Sequence, residues 1–160
     1  QVRRGRRDER GSSMNPIKTI LVTTDFSETS HKAFDHAREI AEKFGARLVL
    51  VHVEEDRLPP LVLEYTEVDL GQLLARQKEH ALEKLAELAP ELGPDVMVQV
   101  VAGTPHVEIV NLAEELQADL IVMATHGRGF VGHAILGSTA ERVLRHSPCP
   151  VLIVRDTKKA

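Results

Sequence analysis

Glycine spacing is the first feature of this chain that suggests chemistry. Gly127, Gly129 and Gly132 fall within six residues, and Gly137 follows, leading into Ser138, Thr139 and Ala140. Glycine lets backbone N–H groups approach an anion closely, and a helix that opens at Ser138 adds partial positive charge at its N-terminus. Ser138 and Glu141 have the spacing of a capping box. In front of the glycines stands an apolar run, residues 120–124, which ends at Met123 and Ala124 and reads as a strand buried on both faces. Strand, glycine loop and capped helix together make the architecture of a phosphate site.

Several phosphate motifs compete for these residues. Gly127 to Gly132 matches G-x-G-x-x-G. A dinucleotide fingerprint, however, opens its helix within the glycines and normally sits on the first strand–helix turn; here the helix is expected at Ser138, and only one strand follows. This weakens, without removing, an NAD- or flavin-dependent enzyme as a reading. Walker A spacing is rejected because His133 and Ala134 stand where Lys and Ser/Thr are needed. Ser138 lacks the G-x-S-x-G elbow of a nucleophile and is expected to cap its helix. Arg128 is the one cation in the loop and could reach a phosphate.

Asp25 has two readings: an Asx turn capping the first helix, or a carboxylate holding a divalent cation that offsets phosphate charge. The eight His include no H-x3-H pair on a helix, and there is no Cys cluster. His52 is expected as a hydrogen-bonded wall of the pocket, and His126 as a contact to the ligand; neither is read as catalytic. Cys149, between Pro148 and Pro150, reads as a small buried apolar residue.

The elements that must position these residues alternate regularly. Strands are expected over residues 17–23, 48–53, 96–101, 120–124 and 151–155. Helices are expected over 28–44, about 68–88, 104–116 and 138–146. The first helix carries Ala33, Phe34, Ala37, Ile40, Ala41 and Phe44 on one face and ends at Gly45. The second carries Leu70, Leu74, Gln77, Ala81, Leu85 and Leu88, and is expected to be ended by Pro90 and Gly93-Pro94. The fourth turns Ala140, Val143 and Leu144 inward. The loop from Glu54 to Thr66, with Pro59-Pro60, is long enough to suggest function. The third strand, with Met97 and Gln99 among valines, reads as an edge. The fold class is α/β: a single-domain, open, five-stranded parallel sheet of order 3-2-1-4-5 with helices on both faces, Rossmann-like. Ligands bind such sheets at the carboxyl ends beside the reversal of strand order. Asp25, Val53, Met123 and Ala124 close the first, second and fourth strands and therefore converge there.

Composition bounds the function. Apolar residues make up 42% and charged residues 28%, and no apolar run approaches a membrane span, so no membrane partner is expected. Residues 1–13 hold five Arg against Asp8 and Glu9, a local +3, so residues 14–160 carry −7 of the total −4. An acidic body argues against nucleic acid as a partner. Val2 is the only clearly apolar side chain in residues 1–13; the segment is read as a disordered extension ahead of a domain over 14–160. One Cys suggests a reducing compartment and a cytoplasmic protein.

Gly127, nine intervening residues, Gly137 and Ser138 also fit G-x2-G-x9-G-[ST], with Ala124 in place of the first glycine. On that pattern the chain resembles the universal stress protein family, in its ATP-binding branch. The likeness extends to residues 23–29 at the first strand–helix junction, 50–53 at the end of the second strand, 103–109 and 147–154. The PP-loop ATP pyrophosphatases share the architecture, but their serine- and glycine-rich first loop is absent at residues 23–28.

The resemblance implies ATP, with Mg or Mn, as ligand. Adenine would lie near Thr23 and Val53. Ribose and phosphates would meet Asp25, Met123, Ala124, Thr125, His126, Gly127, Arg128, Gly129, Phe130, Gly137, Ser138, Thr139 and Ala140, with Asp25 as the metal contact through the phosphates. It also implies a homodimer through Val151, Leu152, Ile153 and Val154. No residue looks like a dedicated general base, so any ATP hydrolysis or autophosphorylation should be slow. A dimeric stress-protein scaffold that does not bind nucleotide is the alternative, and Ala124 is the feature in its favour.

Overall fold

The structure is a computed structural model in which residues 16–55, 69–125 and 136–155 are described. The expectations for residues 1–13, for 56–66 of the long loop and for His126, Gly127, Arg128, Gly129 and Phe130 lie outside the described residues. The elements are β1 (Thr19–Thr23), α1 (Glu28–Phe44), β2 (Arg47–Glu54), α2 (Leu70–Leu92), β3 (Met97–Ala102), α3 (Pro105–Glu115), β4 (Leu120–Ala124), α4 (Ser138–His146) and β5 (Val151–Val154).

The sheet order is β3-β2-β1-β4-β5, every pair parallel, as the alternation of apolar runs and helices predicts. Strand side chains alternate between faces, and the core divides accordingly. Ile20, Val22, Leu48, Leu50, Leu120 and Val122 pack under α1 and α2, against Phe34, Ala37 and Leu85. Leu21, Val49, Val51, Ile121 and Met123 pack on the other face, against Ile109, Leu112, Ala140 and Val143 of α3 and α4. Fully burying each such aliphatic side chain contributes about 1.5–3 kcal/mol.

Several boundaries depart from the periodicity for local reasons. β1 starts at Thr19 rather than Ile17, because the N–H groups of Lys18 and Thr19 are both taken by the Asp119 carboxylate, at 2.8 and 2.9 Å. Pro90 does not end α2. The helix runs on to Leu92, whose side chain is fully buried, and Arg38 Nη1 donates to the Glu91 carbonyl at 2.8 Å. Burial and that bond outweigh the one helix N–H that proline removes.

Four apolar positions expected to face inward are exposed. Phe44 is the last residue of α1, and Leu144 is rotated about 100° from Val143 on α4. Leu70 and Leu74 sit on the first turns of α2, where contact with the sheet has not begun. Gln77, on the same stripe, is exposed too. Leu74, Gln77 and Lys78 instead border a cavity of about 270 Å³ whose other wall includes Glu54, Val100 and Ala102.

Candidate functional site

The carboxyl ends of β1, β2 and β4 form one edge of the sheet, and the chain reverses there in two different ways. After β1, four residues turn into α1 through a chain of side-chain bonds. The Phe26 N–H donates to Thr24 Oγ1 at 3.0 Å, Thr24 Oγ1 meets Ser30 Oγ at 2.8 Å, and Ser30 Oγ donates to the Ser27 carbonyl at 2.7 Å. Because Ser30 gives its proton to a carbonyl, the Thr24 hydroxyl is the donor to Ser30. Thr24 and Ser30 are buried, so each partner is needed. Ser27 is the N-cap of α1, its hydroxyl accepting from the Ser30 N–H.

Asp25 stands in the middle of this turn, half-buried. Its Oδ1 accepts from the Ser27 N–H at 3.0 Å and from Ser27 Oγ at 2.5 Å. The structure thus contains the Asx turn, and the carboxylate that would meet a cation also braces the N-cap of α1. These roles are compatible, since a carboxylate accepts several bonds.

Phe26 adopts φ +65°, in the left-handed region. A bulky residue there costs about 1–3 kcal/mol. Its surroundings supply the compensation. The ring lies 4.2 Å from the His52 ring, centroid to centroid, and the Lys84 ammonium is 5.2 Å from the ring centroid. An aromatic pair contributes about 0.5–1.5 kcal/mol and an exposed cation–π contact about 0.5–1 kcal/mol. His52 Nδ1 lies 2.9 Å from the Thr24 carbonyl, and Nε2 is 3.5 Å from Glu54 Oε1. A carbonyl only accepts, so Nδ1 carries a proton. His52 is hydrogen-bonded as expected, and its partner is the backbone of the β1–α1 turn. Alternation along β2 places His52 on the α1/α2 face with Leu48 and Leu50, and Val53 on the opposite face with Val49 and Val51.

At the end of β4 and the start of α4 the described contacts are between backbone groups instead. Thr125, buried, continues the ladder by donating its N–H to the Val154 carbonyl at 3.0 Å. Its own carbonyl accepts from the Gly137 N–H at 2.7 Å. That bond ties the start of α4 to the end of β4 across the intervening residues. It also corrects the expected capping box. Gly137, at φ −70° and ψ 153°, is the N-cap, and Ser138 is the first helical residue, with no side-chain cap bond. Glu141 reaches forward to Arg145 at 2.9 Å instead of back to the cap. A glycine cap brings no acceptor, so the first-turn N–H groups of Ser138, Thr139 and Ala140 receive nothing from the cap side chain. Together with the macrodipole, this makes the start of α4 a place for an anion.

The remaining sequence candidates fall around these two turns. Thr23 and Val53 are half-buried at the ends of β1 and β2, and Met123 and Ala124 are buried at the end of β4. Ala124 pairs with Val154, and strand alternation turns its methyl to the face of Leu120 and Val122, opposite the face that carries α4. α4 begins at Ser138, beyond Gly132, so the glycines do not open the helix as a dinucleotide fingerprint requires. Among the described residues there is no group of three His, Cys, Asp or Glu that could hold a metal ion. Burial, aided by the Asp119 carboxylate, pushes the Cys149 thiol above its ordinary range, as suits an inert side chain. Sequence reasoning missed Thr24, Phe26 and Ser30 as the frame around Asp25. Only the Asp25–Ser27 spacing hinted at it.

Comparison with known proteins gives a consistent result. A family model described as the universal stress protein family matches residues 16–155. Universal stress protein MJ0531 of Methanocaldococcus jannaschii is 37% identical over 148 residues, covering 91% of this chain and 86% of that protein. The solved structure of hypothetical protein MJ0577, from the same organism, aligns with a TM-score of 0.76 at 34% identity, over 88% of this chain and 96% of that one. A universal stress protein solved in complex with cAMP aligns with a TM-score of 0.63 at 26% identity, over 87% of this chain and 97% of that one.

Proposed function

The chain belongs to the universal stress protein family, and we propose that it is a nucleotide-binding member that takes ATP at the carboxyl edge of its sheet as a regulator or stress-response factor. The observation that carries this reading is the 2.7 Å bond from the Gly137 N–H to the Thr125 carbonyl. It sets a helix start with a bare glycine cap beside the end of β4, on the edge where Asp25 closes β1. The related structure that holds cAMP supports a nucleotide as the ligand class. Adenine would lie by Thr23 and Val53, and phosphates by Ala124, Thr125 and residues 137–140. Mg or Mn, when bound, supplies neutralisation of phosphate charge, and Asp25 is the residue that would share it. No described residue is placed as a general base, and any turnover of ATP would be slow.

Ala124 favours a second reading, a stress-protein scaffold without nucleotide, because it replaces the first glycine of the family pattern. Alternation puts its methyl on the face away from α4, which supports the ATP reading over this one. In either reading the protein is a cytoplasmic homodimer. β5 is an outer strand, and Val151, Leu152 and Ile153 are only half-buried. Leu144, on α4 just before it, is exposed. An apolar open edge invites pairing with a second copy. Leu152→Lys should weaken that dimer in sedimentation; a wild-type chain sedimenting as a monomer at micromolar concentration would exclude it.

Calorimetric titration of nucleotide-free protein with ATP and Mg tests the main reading. ATP heat with wild type is expected, with little from NADH. No ATP heat at millimolar ligand, with binding gained in Ala124→Gly, would establish the scaffold reading instead.

A further inference from the structure

The residue before Asp25 and the residue after it are held by the same side chain. His52 Nδ1 bonds the Thr24 carbonyl at 2.9 Å, and the His52 ring stacks on Phe26 with centroids 4.2 Å apart. Phe26 occupies a left-handed conformation that an aromatic residue does not adopt unaided. The local bonds, Phe26 N–H to Thr24 Oγ1 and Ser27 N–H to Asp25, come from backbone donors and are open to any residue at position 26, so they do not account for an aromatic there. What the aromatic adds is its ring: it packs against the α1/α2 core, lies against His52 and sits under the Lys84 ammonium. His52 is itself fixed, on a strand that pairs along its length with β1 and β3, with its side chain 14% exposed.

We propose that His52 and Phe26 are positioning residues for Asp25: a clamp from β2 that holds the β1–α1 turn in the one conformation in which Asp25 meets the nucleotide. The proposal rests on the ATP reading for the ligand; the clamp itself rests only on the geometry of the turn. His52 works from the face of β2 opposite Val53, so it acts on the site through Asp25 and does not touch the ligand. Removing either half of the clamp frees the turn. Without the ring, φ +65° has no compensation and residue 26 relaxes toward right-handed or extended backbone. That swings the Asp25 carboxylate off the Ser27 N–H. Without the imidazole, the Thr24 carbonyl loses its bond from His52 and the Phe26 ring loses its aromatic neighbour.

Two measurements on the full chain test this. Amide hydrogen exchange by NMR reads the turn directly, at the Ser27 N–H bonded to Asp25 and the Phe26 N–H bonded to Thr24. Calorimetry with ATP and Mg reads the site. Phe26→Ala and His52→Leu are expected to speed exchange at Ser27 tenfold or more, with the amides of β4 and α3 unchanged, and to weaken ATP about tenfold. His52→Asn, whose side-chain amide can still donate to the Thr24 carbonyl, should recover most of the loss. A merely packed His52 would not be rescued by so small a polar residue. If His52→Leu does not fold, Phe26→Gly replaces it: glycine adopts φ +65° freely but has no ring, so the turn persists only as one conformer among several and exchange still accelerates.

Unchanged Ser27 exchange in these variants overturns the clamp, whatever ATP does. Accelerated exchange with ATP affinity within twofold of wild type overturns its role in binding. Wild-type protein that binds no ATP overturns the nucleotide reading, and the exchange measurement then decides the clamp by itself.

Discussion

The two turns on the carboxyl edge of the sheet solve opposite problems. The turn after β1 is closed: Thr24, Asp25, Ser27 and Ser30 satisfy one another and the adjacent N–H groups. At the start of α4, among the described residues, a backbone bond from Gly137 to Thr125 makes the tie, and the glycine cap contributes no side chain. Rigidity at the first turn comes from side chains that face inward, and such side chains cannot also be withdrawn without loss of fold. At the second, the described tie is main chain, and no side chain caps the first amides of α4. In the ATP reading proposed above, the first turn would bring the Asp25 carboxylate toward a phosphate-bound cation, and the start of α4 would offer backbone N–H groups to phosphate oxygens.

If this contrast is right, loss of a buried polar partner in the first turn should lower stability, and crowding of the start of α4 should lower binding with little effect on stability. Thr24→Val keeps the shape of the side chain but removes the acceptor of the Phe26 N–H and the donor to Ser30. It should cost about 1–3 kcal/mol of folding free energy, the usual cost of orphaning a buried polar group. For a chain of this size that is a melting-temperature drop of roughly 2–4 °C per kcal/mol, measurable by calorimetric scanning. Gly137→Val should do the reverse. Its φ of −70° suits any residue, so the fold survives, while the side chain crowds the approach to the amides. ATP affinity should fall tenfold or more, about 1.4 kcal/mol per tenfold. A Gly137→Val protein that melts as early as Thr24→Val would break the comparison.

Smaller effects sharpen it. Ser138→Ala should weaken ATP less than Gly137→Val does, because the hydroxyl makes no cap bond and the amides remain. The same titration reads this, and a loss equal to that of Gly137→Val would mean that the hydroxyl, not the backbone, holds the ligand. Ala124→Gly should leave affinity unchanged or slightly tighter, since alternation already turns the methyl to the α1/α2 face. A tenfold gain would show that the methyl intrudes on the site after all.

The sequence by itself determined the sheet order, the two-sided core and the meeting of Asp25, Val53 and Ala124 on one edge. Each of these follows from patterns carried by consecutive residues: apolar strands of four to eight residues, helices of period 3.6, and right-handed crossovers between them. It determined the end of α1 as well, where Gly45 takes φ +65° and its N–H reaches the Ala41 carbonyl. Only the tertiary structure decided the details of the site. The capping box at Ser138 and Glu141 is legible and wrong, because the Thr125 carbonyl, twelve positions earlier in the chain, claims the Gly137 N–H and makes glycine the cap. The conformation of Phe26 is likewise illegible, since it depends on His52 across the β1–β2 pairing. Pro90 stays helical because Leu92 finds the core and Arg38 finds the Glu91 carbonyl. Local pattern sets what an element is. Which of its ends binds, caps or frays is set by partners that are distant along the chain, and the free energies at stake there are the 1–3 kcal/mol of a single buried hydrogen bond or a strained residue.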